Sequence, residues 1–224
     1  MADFDQFAQD YRDALNRSLR GFGVELDYFT SYKARYIERL IANAAPHKIL
    51  DYGCGIGVLA SMLKKAFPRS TVEGYDVSQA SIGRVEKNLL EQGRFTSELA
   101  NLEGGYDLVV LSNVLHHVVP ANREPTLADI VGLMDPSGRL VVFEHNPINP
   151  ATRFVVSRCE FDEDAILVYP GSVARHFKQV KLRLRRRDYI VFFPRILSLF
   201  RALEPMLAWL PLGAQYAMVG EKIA

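Results

Sequence analysis

Residues 48–57, Lys-Ile-Leu-Asp-Tyr-Gly-Cys-Gly-Ile-Gly, constrain this chain more than any other stretch. The run 48–52 reads as a short buried strand, and three glycines at alternate positions, Gly53, Gly55 and Gly57, follow it directly. Residues 58–67 then carry the apolar spacing of a helix. Glycine lacks Cβ and accepts positive φ, so a strand, a glycine turn and a helix in this order let the backbone come close to a ligand.

The pattern repeats along the chain. Thr71 to Tyr75 reads as a second strand, Ser78 as a helix N-cap, and 79–92 as a helix ending near Gly93. Residues 95–99 give a weak third strand, 106–111 a strongly apolar fourth and 125–133 a helix, and a turn at Asp135-Pro136-Ser137-Gly138 leads into a fifth strand at 139–143. Short apolar strands separated by helices imply a parallel sheet covered on both faces. Residues 150–176 are partly helical and placed to cover a pocket. From Val180 the apolar Leu182 and Leu184 alternate with Lys181, Arg183 and Arg185, the period-two signature of a strand with one buried face. With a last strand at 215–220, the sheet ends in an antiparallel pair joined through an apolar helical stretch at 194–210. Residues 3–20 and 28–43 have helical spacing ahead of the first strand.

The expected fold is therefore α/β: a doubly wound, mostly parallel seven-stranded sheet with an antiparallel C-terminal strand and an N-terminal helical lid. At 224 residues, 49% hydrophobic and 24% charged, the chain has the size and composition of one globular domain. Within it, 1–44 is the lid, 45–145 the cofactor-binding core, and 146–224 the acceptor side with the C-terminal strands.

Asp76 closes the second strand 19 residues beyond Gly57, where a carboxylate can accept hydrogen bonds from two ribose hydroxyls. An adenosine-type cofactor follows. The turn is G-x-G-x-G rather than the dinucleotide G-x-G-x-x-G, and Asp51 stands two residues before it. A carboxylate there suits an ammonium or sulfonium and repels a pyrophosphate. That charge sign favours S-adenosylmethionine over NAD.

Four stretches, 49–57, 72–78, 106–117 and 133–140, together resemble the class I S-adenosylmethionine-dependent methyltransferases in order and spacing. The resemblance implies that Asp51, Gly53, Cys54, Gly55 and Gly57 surround the methionine part of the cofactor. It further implies that Asp76 binds the ribose, that Val77 packs on adenine and that Asn113 sits near the methionine end. Where relatives place an acid on the adenine amine this chain has Ser97-Glu98-Leu99, which makes Glu98 and Leu99 the candidates there. Tyr11 and Tyr32 are candidates from the lid, through ring or hydroxyl contact with the sulfonium, and Lys33 is a further one for the cofactor carboxylate.

Methyl transfer from a sulfonium needs alignment above all, and a base only for a weak nucleophile such as a hydroxyl. The candidates lie at the carboxyl ends of strands four and five: His117, Glu144 and His145 as the catalytic set, with His116 read as packing. No ligand pair has the spacing of a metal site, so no metal is expected.

Net charge is +1, but residues 1–174 hold 17 basic and 23 acidic side chains while 175–224 hold 10 and 3. The basic stretch 181–187 lies on one strand with no nucleic-acid module around it, so a nucleic-acid partner is not expected. Basic residues beside apolar ones and Trp209 suit a solvated strand face, a surface that meets a membrane or a lipid-linked anionic substrate, or self-association, and the expected state is a monomer or a homodimer. Two cysteines, no signal-like N-terminus and no apolar run of membrane-spanning length lead to the expectation of a cytoplasmic protein, with peripheral attachment to the inner face of a membrane as an alternative. The expected acceptor is a small molecule, a glycan or a lipid-linked compound. An NAD-dependent reductase and a non-catalytic scaffold that keeps the fold are the competing functions.

Overall fold

The computed structural model describes residues 26–41, 45–159, 162 and 164–223. The helix expected at 3–20, and Tyr11 with it, lie outside the described residues. Seven strands form one sheet: β1 (Lys48–Tyr52), β2 (Thr71–Tyr75), β3 (Phe95–Thr96), β4 (Tyr106–Ser112), β5 (Met134–His145), β6 (Leu182–Ile190) and β7 (Gln215–Lys222). Their order is β3-β2-β1-β4-β5-β7-β6. Strands β1 to β5 pair in parallel, and β7 runs antiparallel between β5 and β6.

Side-chain alternation divides the interior into two cores. Ile49, Leu108, Val110, Val141 and Phe143 face one side, where they meet Tyr32, Tyr36 and Ile37 of α1 (Leu26–Leu40) and Leu59 and Leu63 of α2 (Val58–Ala66). Leu50, Val109, Leu111, Leu140 and Val142 face the other, against α5 (Arg123–Leu133) and α7 (Pro170–Gln179), which supply Leu127, Ile130, Val173 and Phe177. A strand buried on both faces has no polar alternation to show, which is why β1, β4 and β5 read as continuous apolar runs.

Several boundaries differ from expectation for local reasons. The helix expected at 79–92 is two short pieces, α3 (Gln79–Ile82) and α4 (Lys87–Leu90), broken at Gly83 and at the extended Glu86. Ser78 does cap α3, its Oγ accepting from Ser81 N at 3.0 Å. The third strand is only two residues long, because a 3₁₀ turn takes over at Leu99–Asn101. The turn at 135–138 is carried inside β5: Tyr106 pairs with Met134 and Leu108 with Arg139, so the turn residues bulge out of the ladder. Helix α6 (Pro150–Val156) and α7 account for the partly helical segment.

The basic stretch forms the edge strand β6. Arg185 and Arg139 both pair with Glu221, at 2.5 and 2.9 Å, and Arg186 pairs with Asp188. A charged outer strand disfavours edge-to-edge pairing with another chain.

Candidate functional site

The strand order reverses between β1 and β4, so the connections leaving them diverge and open a crevice at the carboxyl edge of the sheet. A cavity of about 630 Å³ lies there. One half is built on the glycine turn after β1, and the other on the loops after β4 and β5.

The turn is fixed by its backbone. Gly53 N and Cys54 N donate to Tyr75 O at 2.7 and 3.0 Å. Gly55 N donates to Asp76 Oδ2 at 2.7 Å, and Ser78 N to Asp76 Oδ1 at 2.9 Å. Asp76 thus locks the turn while standing on the cavity wall. At Gly53, with φ +78°, a Cβ would stand 2.3 Å from Val114 Cγ2, whereas around Gly55, φ +53°, nothing lies within 4 Å. Packing therefore requires the first glycine, and the second leaves room at the cavity. Val77 is 64% exposed and offers the wall an apolar face.

Beneath the turn, Asp51 is buried and neither carboxyl oxygen has a hydrogen-bond partner. Burial, and then the charge of Asp76, push its pKa up to about 7, with Lys33 and the nearby Ala60 backbone N–H opposing. Lys33 Nζ donates to Ser112 Oγ at 2.8 Å and to Asn113 Oδ1 at 3.3 Å. Burial pulls Lys33 down to about 8 against the pull of Glu144 and Asp51. Asn113 itself sits at φ 59°, a conformation that asparagine tolerates better than most residues, and its N–H donates to Phe143 O at 2.9 Å.

In the other half three imidazoles gather around one carboxylate. Asp162 faces His116 Nε2 at 3.3 Å, His117 Nε2 at 3.6 Å and His145 Nε2 at 3.9 Å. His116 Nδ1 also lies 2.6 Å from Glu144 Oε2, and Glu144 Oε1 accepts from Leu115 N at 2.7 Å. Burial alone would lower the pKa of His116, but the Glu144 and Asp162 carboxylates prevail and raise it to about 9. Burial and the adjacent His116 charge push both His117 and His145 down to about 4. At neutral pH the cluster is one imidazolium between two carboxylates, with two neutral imidazoles beside it. His116, His117 and Asp162 bring ligand-type atoms within 4.8 Å of one another, and His116 already supplies positive charge there.

Apolar walls enclose this half, with Val118 and Val119 on one side, Val155 and Val156 on another, and Val191 to Pro194 on a third. Val191 has φ 60°, strained for a β-branched residue, and is held by Ala214 N donating to its carbonyl at 2.8 Å.

Among the residues the sequence singles out, Asp51, Gly53, Cys54, Gly55, Asp76, Val77, Asn113, His117 and His145 lie on this wall. Gly57 lies behind it as the left-handed N-cap of α2. Glu144, expected to handle a proton, is enclosed beneath His116 and does not line the cavity. Tyr32 points into the core, where burial raises its hydroxyl to about 12; its helix presents Phe29, Thr30 and Lys33 to the cavity instead. Glu98 and Leu99 are also off the wall. Glu98 accepts from Asn101 Nδ2 and Leu99 packs on the second core, because β3 is too short to carry them to the crevice.

Asp162 and Arg123 were not legible as site residues. Arg123 Nε donates to Leu115 O and Val118 O at 3.0 Å each, and its Nη2 donates to Ile166 O at 2.6 Å, tying the His116 loop to the segment that bears Asp162. The only sequence signal near Asp162 is an acidic run at 160–164.

Residues 26–202 match the family model described as a methyltransferase domain. The chain is 30% identical over 149 residues to a demethylmenaquinone methyltransferase of Thermotoga maritima, covering 65% of this chain and 61% of that protein. It is 29% identical over 153 residues to a ribosomal RNA small subunit methyltransferase C of Hahella chejuensis, covering 65% of this chain and 39% of that one. The matches thus span under two thirds of these relatives' own length. Its fold resembles the crystal structure of a SAM-dependent methyltransferase from Archaeoglobus fulgidus, with a TM-score of 0.68, 16% identity, and coverage of 91% of this chain and 97% of that one.

Proposed function

This chain belongs to the methyltransferase-domain family, and from that premise we propose that it moves a methyl group from S-adenosylmethionine to an oxygen or nitrogen of a small-molecule, carbohydrate or lipid-linked acceptor. The observation that carries this reading is the unpartnered carboxyl of Asp51 beneath the glycine turn. A buried carboxyl with no partner is costly, and a cationic ligand relieves that cost where a pyrophosphate would add to it.

The residues present fit the cofactor. The space at Gly55 accepts ligand against backbone, Asp76 is placed for ribose hydroxyls and Val77 for the adenine face. Asp51 and Lys33 supply opposite charges for the two ends of an amino-acid group. Bound S-adenosylmethionine supplies a methyl group activated by a positively charged sulfur. What remains for the chain is to align the acceptor, exclude water and take a proton where the acceptor is a hydroxyl.

His117 and His145 are the groups that face that proton: both line the cavity as neutral imidazoles, and at about 4 each is a weak base that accepts a hydrogen bond from the acceptor hydroxyl and orients it. His116 has its ring centroid 4.1 Å from that of His117 and 5.0 Å from that of His145. Its fixed positive charge favours negative charge developing on an acceptor oxygen, while Glu144 and Asp162 act through it as positioning residues. The names of the relatives include both a quinone-type small molecule and RNA; the enclosing valines and Phe192 to Pro194 favour the small acceptor.

Calorimetric titration of the full chain with S-adenosylmethionine and with NADH tests the cofactor, and only the former is expected to bind. Asp76→Ala is expected to abolish that binding and the biological activity together; activity surviving without binding would favour a scaffold. With a labelled methyl group and a cell extract, label should enter the small-molecule, carbohydrate or lipid fraction, and label in RNA would overturn the choice of acceptor. His145→Ala should lower turnover far more than cofactor affinity.

A further inference from the structure

We propose that His116 Nε2, His117 Nε2 and a carboxyl oxygen of Asp162 form a site for a first-row divalent transition-metal ion of the zinc type, in the acceptor half of the cavity. These three residues bring their ligand atoms within 4.8 Å of one another. Asp162 Oδ1 stands 3.3 Å from His116 Nε2 and 3.6 Å from His117 Nε2. Bonds of about 2.0–2.2 Å at tetrahedral angles put neighbouring ligand atoms about 3.3–3.6 Å apart, so both separations have the length of an edge of such a site. Two imidazoles and one carboxylate are also donors that zinc, iron, cobalt and nickel ions accept. Asp162 lies 45 residues beyond His117, so no local spacing along the chain announces the set.

The hydrogen bonds around His116 decide which of its nitrogens is the ligand. Both oxygens of Glu144 are engaged: Oε1 accepts from Leu115 N at 2.7 Å and Oε2 lies 2.6 Å from His116 Nδ1. A carboxylate on Nδ1 keeps the proton there and fixes the ring, which is the arrangement that orients metal-binding histidines. Nε2 is then the atom offered to a cation. It is buried and makes no hydrogen bond, although the side chain lines the cavity, and its approach to Asp162 is a charge contact. The backbone on both sides is held. Ile166 N donates to His116 O at 2.8 Å, Asp162 N donates to Cys159 O at 3.0 Å, and Asp162 O accepts from Ala165 N at 3.0 Å.

In the metal-free protein a proton on Nε2 makes His116 the imidazolium between two carboxylates. The cation takes the place of that proton, which leaves to solvent, while the proton on Nδ1 stays against Glu144. All three ligand residues stand on the cavity wall. Three protein ligands leave coordination open toward the cavity, as in catalytic rather than structural sites. His145 borders this opening, its Nε2 3.9 Å from the other Asp162 oxygen. The methyl donor needs no metal, so the cation serves the acceptor. A hydroxyl coordinated there gives up its proton more readily, and His145 is left to orient it. That the open position takes an acceptor oxygen rests on the proposed function; the cation site itself does not.

Full-length protein dialysed against a chelator is titrated with zinc chloride by calorimetry and with cobalt(II) chloride by visible absorption, without S-adenosylmethionine or acceptor. One cation per chain is expected, with cobalt d–d bands that zinc displaces. His117→Ala and Asp162→Asn should each weaken zinc binding by more than about 100-fold, and Glu144→Gln, which acts through His116, by about 10- to 100-fold. His176→Ala, away from the cavity, should leave it unchanged. The His117 side chain is 19% exposed, so its alanine variant is expected to fold, and a kept thermal midpoint in zinc-free buffer checks this. No saturable binding, binding that survives His117→Ala or Asp162→Asn, or binding lost in His176→Ala would overturn the proposal. S-adenosylmethionine affinity is measured on the same protein. Its absence with zinc still bound would sink the methyltransferase reading alone, and its presence without zinc binding would sink the cation site alone.

Discussion

Nδ1 of His116 lies 2.6 Å from Oε2 of Glu144, both side chains being almost wholly buried. Each explains the charge of the other: the imidazolium holds Glu144 below its ordinary range despite burial, and Glu144 with Asp162 raises His116 to about 9. Removing Glu144 strips the buried imidazolium of its nearer carboxylate and Leu115 N of its acceptor, leaving only Asp162 at 3.3 Å, which costs far more than an exposed pair is worth.

Glu144→Ala should therefore destabilise the fold by about 3–5 kcal/mol, read as a fall in thermal midpoint on the order of 10 °C. The contribution of the raised His116 pKa is fully present below about 6.5 and is lost as pH rises through about 9. That of Glu144, whose pKa is lowered, is lost on the acid side. The deficit of the variant should thus be largest near pH 6 and shrink above pH 9; a deficit independent of pH across this range would show that the pair is not ionised as described.

Asp51 titrates near 7 and Lys33 near 8. A ligand with both an ammonium and a carboxylate needs Asp51 ionised and Lys33 protonated. Affinity for S-adenosylmethionine should rise about tenfold per pH unit up to about 7 and fall again above about 8. Asp51→Asn should bind more weakly, lose the acidic limb and leave the thermal midpoint unchanged or raised, since it removes an unpartnered buried carboxyl. Calorimetry across pH 5–9 measures all three.

Gly53→Ala and Gly55→Ala should fail differently. At position 53 the new methyl meets Val114 at 2.3 Å, so stability falls together with binding. At position 55 there is open space, so the cost to the fold is about 1–2 kcal/mol for the left-handed backbone, and the main loss is cofactor affinity. Chemical denaturation beside titration separates them; equal destabilisation would contradict the packing described.

Arg123→Lys keeps the charge but cannot fork across Leu115 O, Val118 O and Ile166 O. It should loosen the segment bearing Asp162 and reduce turnover while leaving cofactor affinity within about twofold. A large loss of cofactor affinity would place Arg123 in the other half of the site.

The glycine turn, Asp51, Asp76 and the alternation of apolar strands with helices were legible in the sequence because each is a local requirement: backbone freedom, a charge sign, a periodicity. Position along the chain also placed His117 and His145 at the strand ends that border the crevice. What local pattern cannot encode is which distant side chain arrives opposite. Asp162 stands 45 residues beyond His117, and only the return of the chain after β5, clamped by Arg123, brings it against three imidazoles. That arrival makes His116 the charged member of the cluster, although its sequence position suggested packing alone, and it encloses Glu144. Tyr32 and Lys33 are adjacent on one helix, and the angle at which α1 meets the sheet sends the tyrosine to the core and the lysine to the cavity. The net charge of the basic tail was countable from composition; only the tertiary structure set most of it on the edge strand β6, where Arg185 meets Glu221 and Arg186 meets Asp188, apart from the exposed apolar segment at 195–207. Local chemistry determined the cofactor half, and long-range packing decided the half that faces the acceptor, because contacts between residues far apart in sequence exist only once the sheet has formed.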